Sequence, residues 1–332
     1  MNKAENIRYL SGFSGGSDAS LLISSEKNII LTDSRYIEQA KIECPGWEIV
    51  QEKPPGMEKL IELSAEFLNI GVEGHSITYQ FFSELQKSLQ SKILPMINSI
   101  EGLRLIKDEN ELEFLRKTAQ ISDQVFLDIC NIIRPGLSER SIANHIVFLL
   151  KEKGCDRESF PTIAVAGENA SLPHGQPGDR LLKPADMFTM DYGGFYQGYA
   201  GDMTRTVAIG TASKELRDRY QAVLEAQHLG VSMVKAGVSC RDIDTAVREC
   251  LKKYKLDNYF RHGTGHGVGL EIHEEPRVSP RSETVLAENM IITIEPGIYI
   301  PGWGGIRIED SVIVKNGGCE LLTRSNKELI II

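Results

Sequence analysis

Long apolar runs are missing from the 332-residue sequence. No stretch approaches the roughly 18 uninterrupted apolar residues of a membrane-spanning helix, so a spanning role is not expected, nor is a membrane partner. Runs of Lys and Arg are missing too. With a net charge of −9 and a pI near 5.4, the chain offers no basic surface for tracking phosphates, and nucleic acid is not an expected partner. The six cysteines (Cys44, Cys130, Cys155, Cys240, Cys250, Cys319) form no C-x-x-C pair and no zinc-finger spacing with histidine, so they read as reduced thiols. Met1 to Leu10 carries Lys3, Glu5 and Arg8 and lacks the apolar core of a signal peptide, which makes the cytoplasm the expected location.

What is present is ordinary for a folded protein: 41% hydrophobic and 25% charged residues, in a chain long enough for two domains. The short apolar runs Leu21 to Ile23, Ile29 to Leu31, Trp47 to Val50 and Ile70 to Val72 predict strands. Between them, helical patterns cover roughly Arg35 to Glu43, Met57 to Leu68 and Thr78 to Leu89, giving a small α/β domain over residues 1–102. At Asp108 and Glu111 a capping box opens a long helical pattern towards Ile133, so a second domain is expected over 103–332. No Gly/Ser linker separates the two.

The second domain reads as a diverged duplication. Arg134-Pro135-Gly136-Leu137-Ser138 ends one helix and starts another, and Lys235-Ala236-Gly237-Val238-Ser239 repeats this 101 positions later, with Ser138 and Ser239 as matching N-caps. Strands follow in each half: Met187 to Tyr192 and Asp202 to Ile209, then Met290 to Glu295 and Ile306 to Val314.

Acids fall at corresponding places on those strands. Asp191 and Glu295 each follow an apolar strand, Asp202 opens one, and Glu309 is expected inside its counterpart. An ionised carboxylate there costs several kcal/mol unless paired or bound to a cation. Arg205 and Arg307 are too few to neutralise four such acids, whereas two divalent ions match their charge. Alternation puts Arg307 on one face with Glu309, and Thr204 with Asp202, so Arg307 either contacts substrate or pairs with Glu309 to position it.

A second signal is His262-Gly263-Thr264-Gly265-His266-Gly267-Val268-Gly269-Leu270-Glu271-Ile272-His273. Its four alternating glycines permit turns and close approaches, and three histidines within twelve positions point to a site. One imidazole among oxygen ligands suits Mn, Co, Fe or Zn better than Ca. The remaining histidines, with His174 of Leu172-Pro173-His174-Gly175, are then free for proton transfer.

These residues carry a resemblance. The stretch His262 to Glu274 and the Asp, Asp, His, Glu, Glu order are similar to the pita-bread (creatinase-like) metallopeptidases, and His273-Glu274-Glu275-Pro276-Arg277 with the preceding α/β domain resembles their Xaa-Pro aminopeptidase and prolidase branch rather than the methionine aminopeptidases. The resemblance implies an α+β chain: a creatinase-like N-terminal domain, expected to be shortened at its start because Asn6 to Phe13 matches a piece usually found later, then a pseudo-twofold pita-bread domain. It further implies that Asp191, Asp202, His266, Glu295 and Glu309 hold two divalent metal ions, manganese first and cobalt, zinc or iron as alternatives, with Asp202 and Glu309 bridging. His174, His262 and His273 line the site, Glu295 doubles as proton acceptor, and Arg307 lies beside it. Proline-containing peptides are the implied substrates and a homodimer the implied assembly.

The expected activity is removal of the residue preceding proline by an Xaa-Pro aminopeptidase. The alternative is an Xaa-Pro dipeptidase (prolidase), for which Arg277 or Arg307 would hold the free carboxylate. An inactive peptide-binding relative and a metal-free creatine amidinohydrolase rank lower, because all five ligand positions are filled. Tyr299 and Trp303, between Glu295 and Glu309, are expected either to border the substrate or to pack the turn.

Overall fold

The computed structural model describes residues 1–53 and 57–332. The chain divides into two compact units, Met1–Arg104 and Leu105–Ile332, against the expected division after residue 102.

The first unit holds two small sheets. Ala19–Ile23 pairs antiparallel with Asn28–Thr32, which pairs parallel with Glu48–Gln51. Leu21, Ile30, Ala40 and Cys44 bury there with Ile7 and Phe13. Asn69–Glu73 pairs parallel with Lys92–Met96, flanked by helices Glu58–Ser64 and Tyr79–Ser88. The helix expected to reach Leu68 stops at Ser64, where Phe67 N turns back onto Ser64 O. Ala4–Ser11 is a helix that the sequence reading did not anticipate. Its N-cap residue Lys3 supplies no side-chain cap; the buried Glu73 carboxylate instead accepts from Asn2 N, Lys3 N and Asn6 Nδ2.

In the second unit, Asp108 and Glu111 form the capping box of helix Glu109–Ile132, whose Leu112, Leu115, Ala119, Val125, Phe126 and Ile129 make the buried stripe. The chain turns at Gly136 (φ +90°), and Ser138 caps helix Glu139–Glu152. The same construction recurs: helix Lys214–Met233, Gly237 (φ +88°), a Ser239 cap and helix Cys240–Lys253. Ile132 and Met233, Glu139 and Cys240, Glu152 and Lys253 are each 101 positions apart. Gly136 N bonds Leu182 O, and Gly237 N bonds Leu286 O.

Each helix pair is followed by an antiparallel sheet. The first is ordered Met203–Ala208, Met187–Tyr192, Ile163–Ala166. The second contains the matching Asp310–Lys315, Ile291–Ile294, Gly265–Gly267, extended by Gly318–Leu321 and Glu274–Val278. The duplication read from the sequence is therefore a structural repeat, with the expected α+β composition.

One expected strand is broken. Ile306 to Val314 divides into Gly304–Arg307, paired with Gly297–Ile300, and Asp310–Lys315 in another sheet. Glu309 lies at the crossing rather than inside a strand, its N–H donating to Thr204 O.

Candidate active site

The acids converge where the two sheets end. Asp191 is the penultimate residue of Met187–Tyr192, Asp202 immediately precedes Met203–Ala208, Glu295 immediately follows Ile291–Ile294, and Glu309 sits at the strand break. His266 is the middle residue of Gly265–Gly267, and its flanking glycines are there for space. A Cβ on Gly265 would lie 1.8 Å from Thr293 O and one on Gly267 2.2 Å from Glu275 O, while neither residue has positive φ. The glycines thus let a strand run close between two neighbours, the close approach that their pattern allows.

His266 is fixed as a neutral imidazole. Its Nδ1 lies 3.0 Å from Gly267 O, which requires the proton on Nδ1 and leaves a lone pair on Nε2. That lone pair faces Asp202 Oδ2 at 3.5 Å and Glu295 Oε1 at 3.4 Å. Burial lowers the His266 pKa to about 3, so an imidazolium pair is not available to hold these groups. Asp202, His266 and Glu309, all buried, each bring one ligand atom within 4.8 Å of the others.

The carboxylates are half tethered. Thr204 Oγ1 donates to Glu309 Oε2 at 2.6 Å, and Arg307 Nη2 donates to Asp191 Oδ2 at 2.5 Å. Glu309 Oε1 and Asp191 Oδ1 are buried with no hydrogen-bond partner among the described residues. Burial first, then the neighbouring acids, pushes the carboxyls of Asp202 and Glu309 well above the usual range, and burial raises Glu295 to about 8. Acceptors without donors, acids that resist ionising and an imidazole that resists protonation together describe a cation site. The residues present fit divalent metal.

Arg307 pairs with Asp191 rather than with Glu309. The break after Arg307 removes the alternation on which that pairing was read; Arg307 reaches Glu309 only through Thr204, whose Oγ1 accepts from Arg307 Nε at 3.1 Å. Its Nη1 donates to Tyr299 OH at 2.7 Å. Tyr299 in turn lies 2.8 Å from His262 Nε2, and His262 Nδ1 lies 2.8 Å from Gly263 O. Both nitrogens of His262 are therefore engaged, with Nδ1 as donor and Nε2 accepting from Tyr299. Burial lowers His262 to about 4, keeping it neutral.

A cavity of about 520 Å³ opens onto these groups, and His174, His262, His273, Arg277 and Tyr299 line it with the five candidate ligands. His174 and His273 are exposed, and the His273 ring stands edge-on to His266 at 4.4 Å. Trp303 is not in the cavity wall; it packs against Arg219, whose guanidinium is 4.2 Å from the ring. Phe160 and Pro161 form apolar wall that carried no mark in the sequence, beside Pro173 and Ile272 of the two histidine motifs.

Residues 113–316 match metallopeptidase family M24, and residues 1–106 match the creatinase/prolidase N-terminal domain. The structure of an Xaa-Pro dipeptidase from Bacillus anthracis is 40% identical with a TM-score of 0.96, covering 98% of this chain and 92% of that one. An X-Pro aminopeptidase from Thermotoga maritima is 33% identical with a TM-score of 0.93, covering 100% and 96%. The Xaa-Pro dipeptidase of Pyrococcus horikoshii is 36% identical over 99% of this chain and 93% of its own length. The chain belongs to metallopeptidase family M24, in the branch that carries a creatinase/prolidase N-terminal domain.

Proposed function

We propose that the protein is an Xaa-Pro dipeptidase that works with two divalent ions held by Asp191, Asp202, His266, Glu295 and Glu309. The carrying observation is the buried acid cluster whose free acceptors, Asp191 Oδ1 and Glu309 Oε1, share the cavity with the His266 lone pair. Manganese is the first choice of ion, with cobalt, zinc or iron as alternatives; a cytoplasmic location and a homodimer belong to the same reading.

The sequence favoured an aminopeptidase; the dipeptidase is now the better-supported reading. Relatives named as dipeptidases support it, and so does the fate of the two arginines. Arg307 is buried and committed to Asp191, Tyr299 and Thr204. The Arg277 guanidinium is exposed in the same cavity, with no side-chain partner among the described residues, and supplies the cation that a free prolyl carboxylate needs.

When bound, the ions supply Lewis acidity towards the scissile carbonyl and the attacking water. Glu295, at the end of its strand and facing the cavity, takes the proton of that water. His174 and His273, exposed on the wall, donate to developing negative charge or to the leaving prolyl nitrogen. His262 acts through Tyr299 and Arg307, holding Asp191 in place. Phe160, Pro161 and Ile272 receive the prolyl ring.

The test is turnover of matched Xaa-Pro, Xaa-Pro-Yaa and Xaa-Ala peptides by manganese-loaded protein. Preference for Xaa-Pro supports the dipeptidase; equal or faster cleavage of Xaa-Pro-Yaa returns the chain to the aminopeptidase reading. Full activity after exhaustive chelation overturns the metal-dependent mechanism.

A further inference from the structure

We propose that three buried carboxylates outside the acid cluster, Glu139, Asp244 and Glu274, are positioning residues that fasten the segments presenting His174, His262 and His273. The inference rests on the reading of this cavity as the peptidase site.

His174 makes no hydrogen bond within the described residues, so its place is set by its loop. Both ends of that loop close on Glu139, which is fully buried. Oε1 accepts from Ala166 N at 2.8 Å and Asn169 Nδ2 at 3.1 Å, while Oε2 accepts from Gly178 N at 3.1 Å. The segment from Ala166 to Gly178, with His174 in it, is tied at three residues to one side chain of helix Glu139–Glu152.

Asp244, fully buried on the equivalent helix Cys240–Lys253, does the same for His262. Its Oδ1 accepts from Thr264 N at 3.1 Å and Thr264 Oγ1 at 2.9 Å. Its Oδ2 accepts from Arg248 Nε at 2.8 Å, and Arg248 donates onward to Phe260 O at 3.0 Å and His262 O at 2.5 Å. Residues 260 to 264 are thus held on both sides of the imidazole.

Glu274 follows His273 directly and is buried with Lys107, whose Nζ donates to Oε2 at 3.1 Å. Oε1 accepts from Glu271 N at 3.1 Å, and a Cβ on Gly269 would lie 2.5 Å from Oε2. The chain from Gly269 to His273 is wrapped round this carboxylate with no room for a side chain at Gly269. A buried carboxylate needs donors, and in all three cases backbone N–H groups of a histidine-bearing segment supply them. Displacing a reacting group by about 1 Å can cost on the order of 100-fold in rate, so these ties bear on turnover.

The experiment is a set of double-mutant cycles on metal-loaded protein with an Xaa-Pro dipeptide. Glu139→Gln, Asp244→Asn and Glu274→Gln are each combined with His174→Ala, His262→Ala and His273→Ala, with metal content and melting temperature recorded throughout. Each carboxylate variant is expected to lower kcat about tenfold or more with little change in KM or metal content, and to cost nothing further once its own histidine is alanine. In the other two histidine backgrounds the full loss should persist. Asn169→Ala and Arg248→Gln, which cut the same ties nearer the surface, give the same readout if a buried variant does not fold. Equal losses in every histidine background, or lower melting temperature with unchanged kcat, overturn the proposal. If the three histidine variants themselves keep full kcat, the reading of the cavity fails first and the inference falls with it.

Discussion

Arg307 grips one oxygen of Asp191 and leaves the other open: Nη2 donates to Oδ2 at 2.5 Å, while Oδ1 is buried without a partner among the described residues. Thr204 treats Glu309 in the same way, binding Oε2 and leaving Oε1 free. In each case the tethered oxygen orients the open one, and Arg307 contacts both tethers through its Nε bond to Thr204.

Removing Arg307 should therefore damage both carboxylates at once. Breaking a buried ion pair from one side typically costs about 3–5 kcal/mol, because the remaining charge is left uncompensated. Arg307→Met is expected to lower the unfolding free energy of metal-free protein by that order in urea titrations. Arg307→Lys keeps the charge but cannot span Asp191, Tyr299 and Thr204 together, and should restore only part of the loss. Wild-type stability in Arg307→Met would mean that Asp191 finds another partner.

The histidines divide by the atom they expose. His266 offers Nε2 to the acids, whereas His174 and His273 stand on the wall, outside the set of ligand atoms that converge. His266→Ala should lose most bound metal by elemental analysis. His174→Ala and His273→Ala should keep about two equivalents while turnover falls by on the order of 100-fold or more. Equal metal loss in all three variants would erase the distinction.

What the sequence made legible was local or repeated. The capping box at Asp108 and Glu111 lies within four residues, and the two Gly-Ser helix junctions announce themselves at a fixed interval. What it hid depends on distant partners. Helix Ala4–Ser11 is capped by Glu73, about seventy residues on. Strand Lys92–Met96 carries Pro95, which disguises it. The strand break at Glu309 is masked by an apolar pattern that runs on through both strands. Glu139 and Asp244 look like any surface acids of amphipathic helices, because burial against a returning loop leaves no periodic trace.

Metal binding should release protons. In metal-free protein, burial raises Glu295 to about 8, so it carries a proton near neutral pH, and burial also pushes the carboxyls of Asp202 and Glu309 up from the usual range. Ions bind the deprotonated forms, so affinity should increase as pH rises towards about 8 and fall as the acids take up protons below it. Calorimetric titration with manganese in buffers of different ionisation enthalpy measures the release. Affinity independent of pH between 6 and 8, with no proton release, would contradict the raised pKa values.

The final prediction separates the two proline-specific activities at a single side chain. Arg277 reaches the cavity from strand Glu274–Val278 with a guanidinium that makes no hydrogen bond among the described residues, and a free prolyl carboxylate can accept two parallel hydrogen bonds from it. If the protein is a dipeptidase, Arg277→Met should raise KM for Xaa-Pro strongly, because a charge-assisted bond contributes about 1.5–3 kcal/mol, or roughly 10- to 150-fold in binding. The same variant should act on an Xaa-Pro amide, which has no carboxylate to hold, much as the wild type does. Metal content should not change, since among the described residues Arg277 makes no hydrogen bond to the five candidate ligands, its backbone N–H donating instead to Glu275. A longer Xaa-Pro-Yaa peptide supplies the remaining contrast: its carboxylate lies one residue further out, so an aminopeptidase would show little dependence on Arg277 with any substrate. Equal KM changes for the dipeptide and its amide would assign Arg277 to packing of the cavity rim and leave the choice of substrate to the apolar wall.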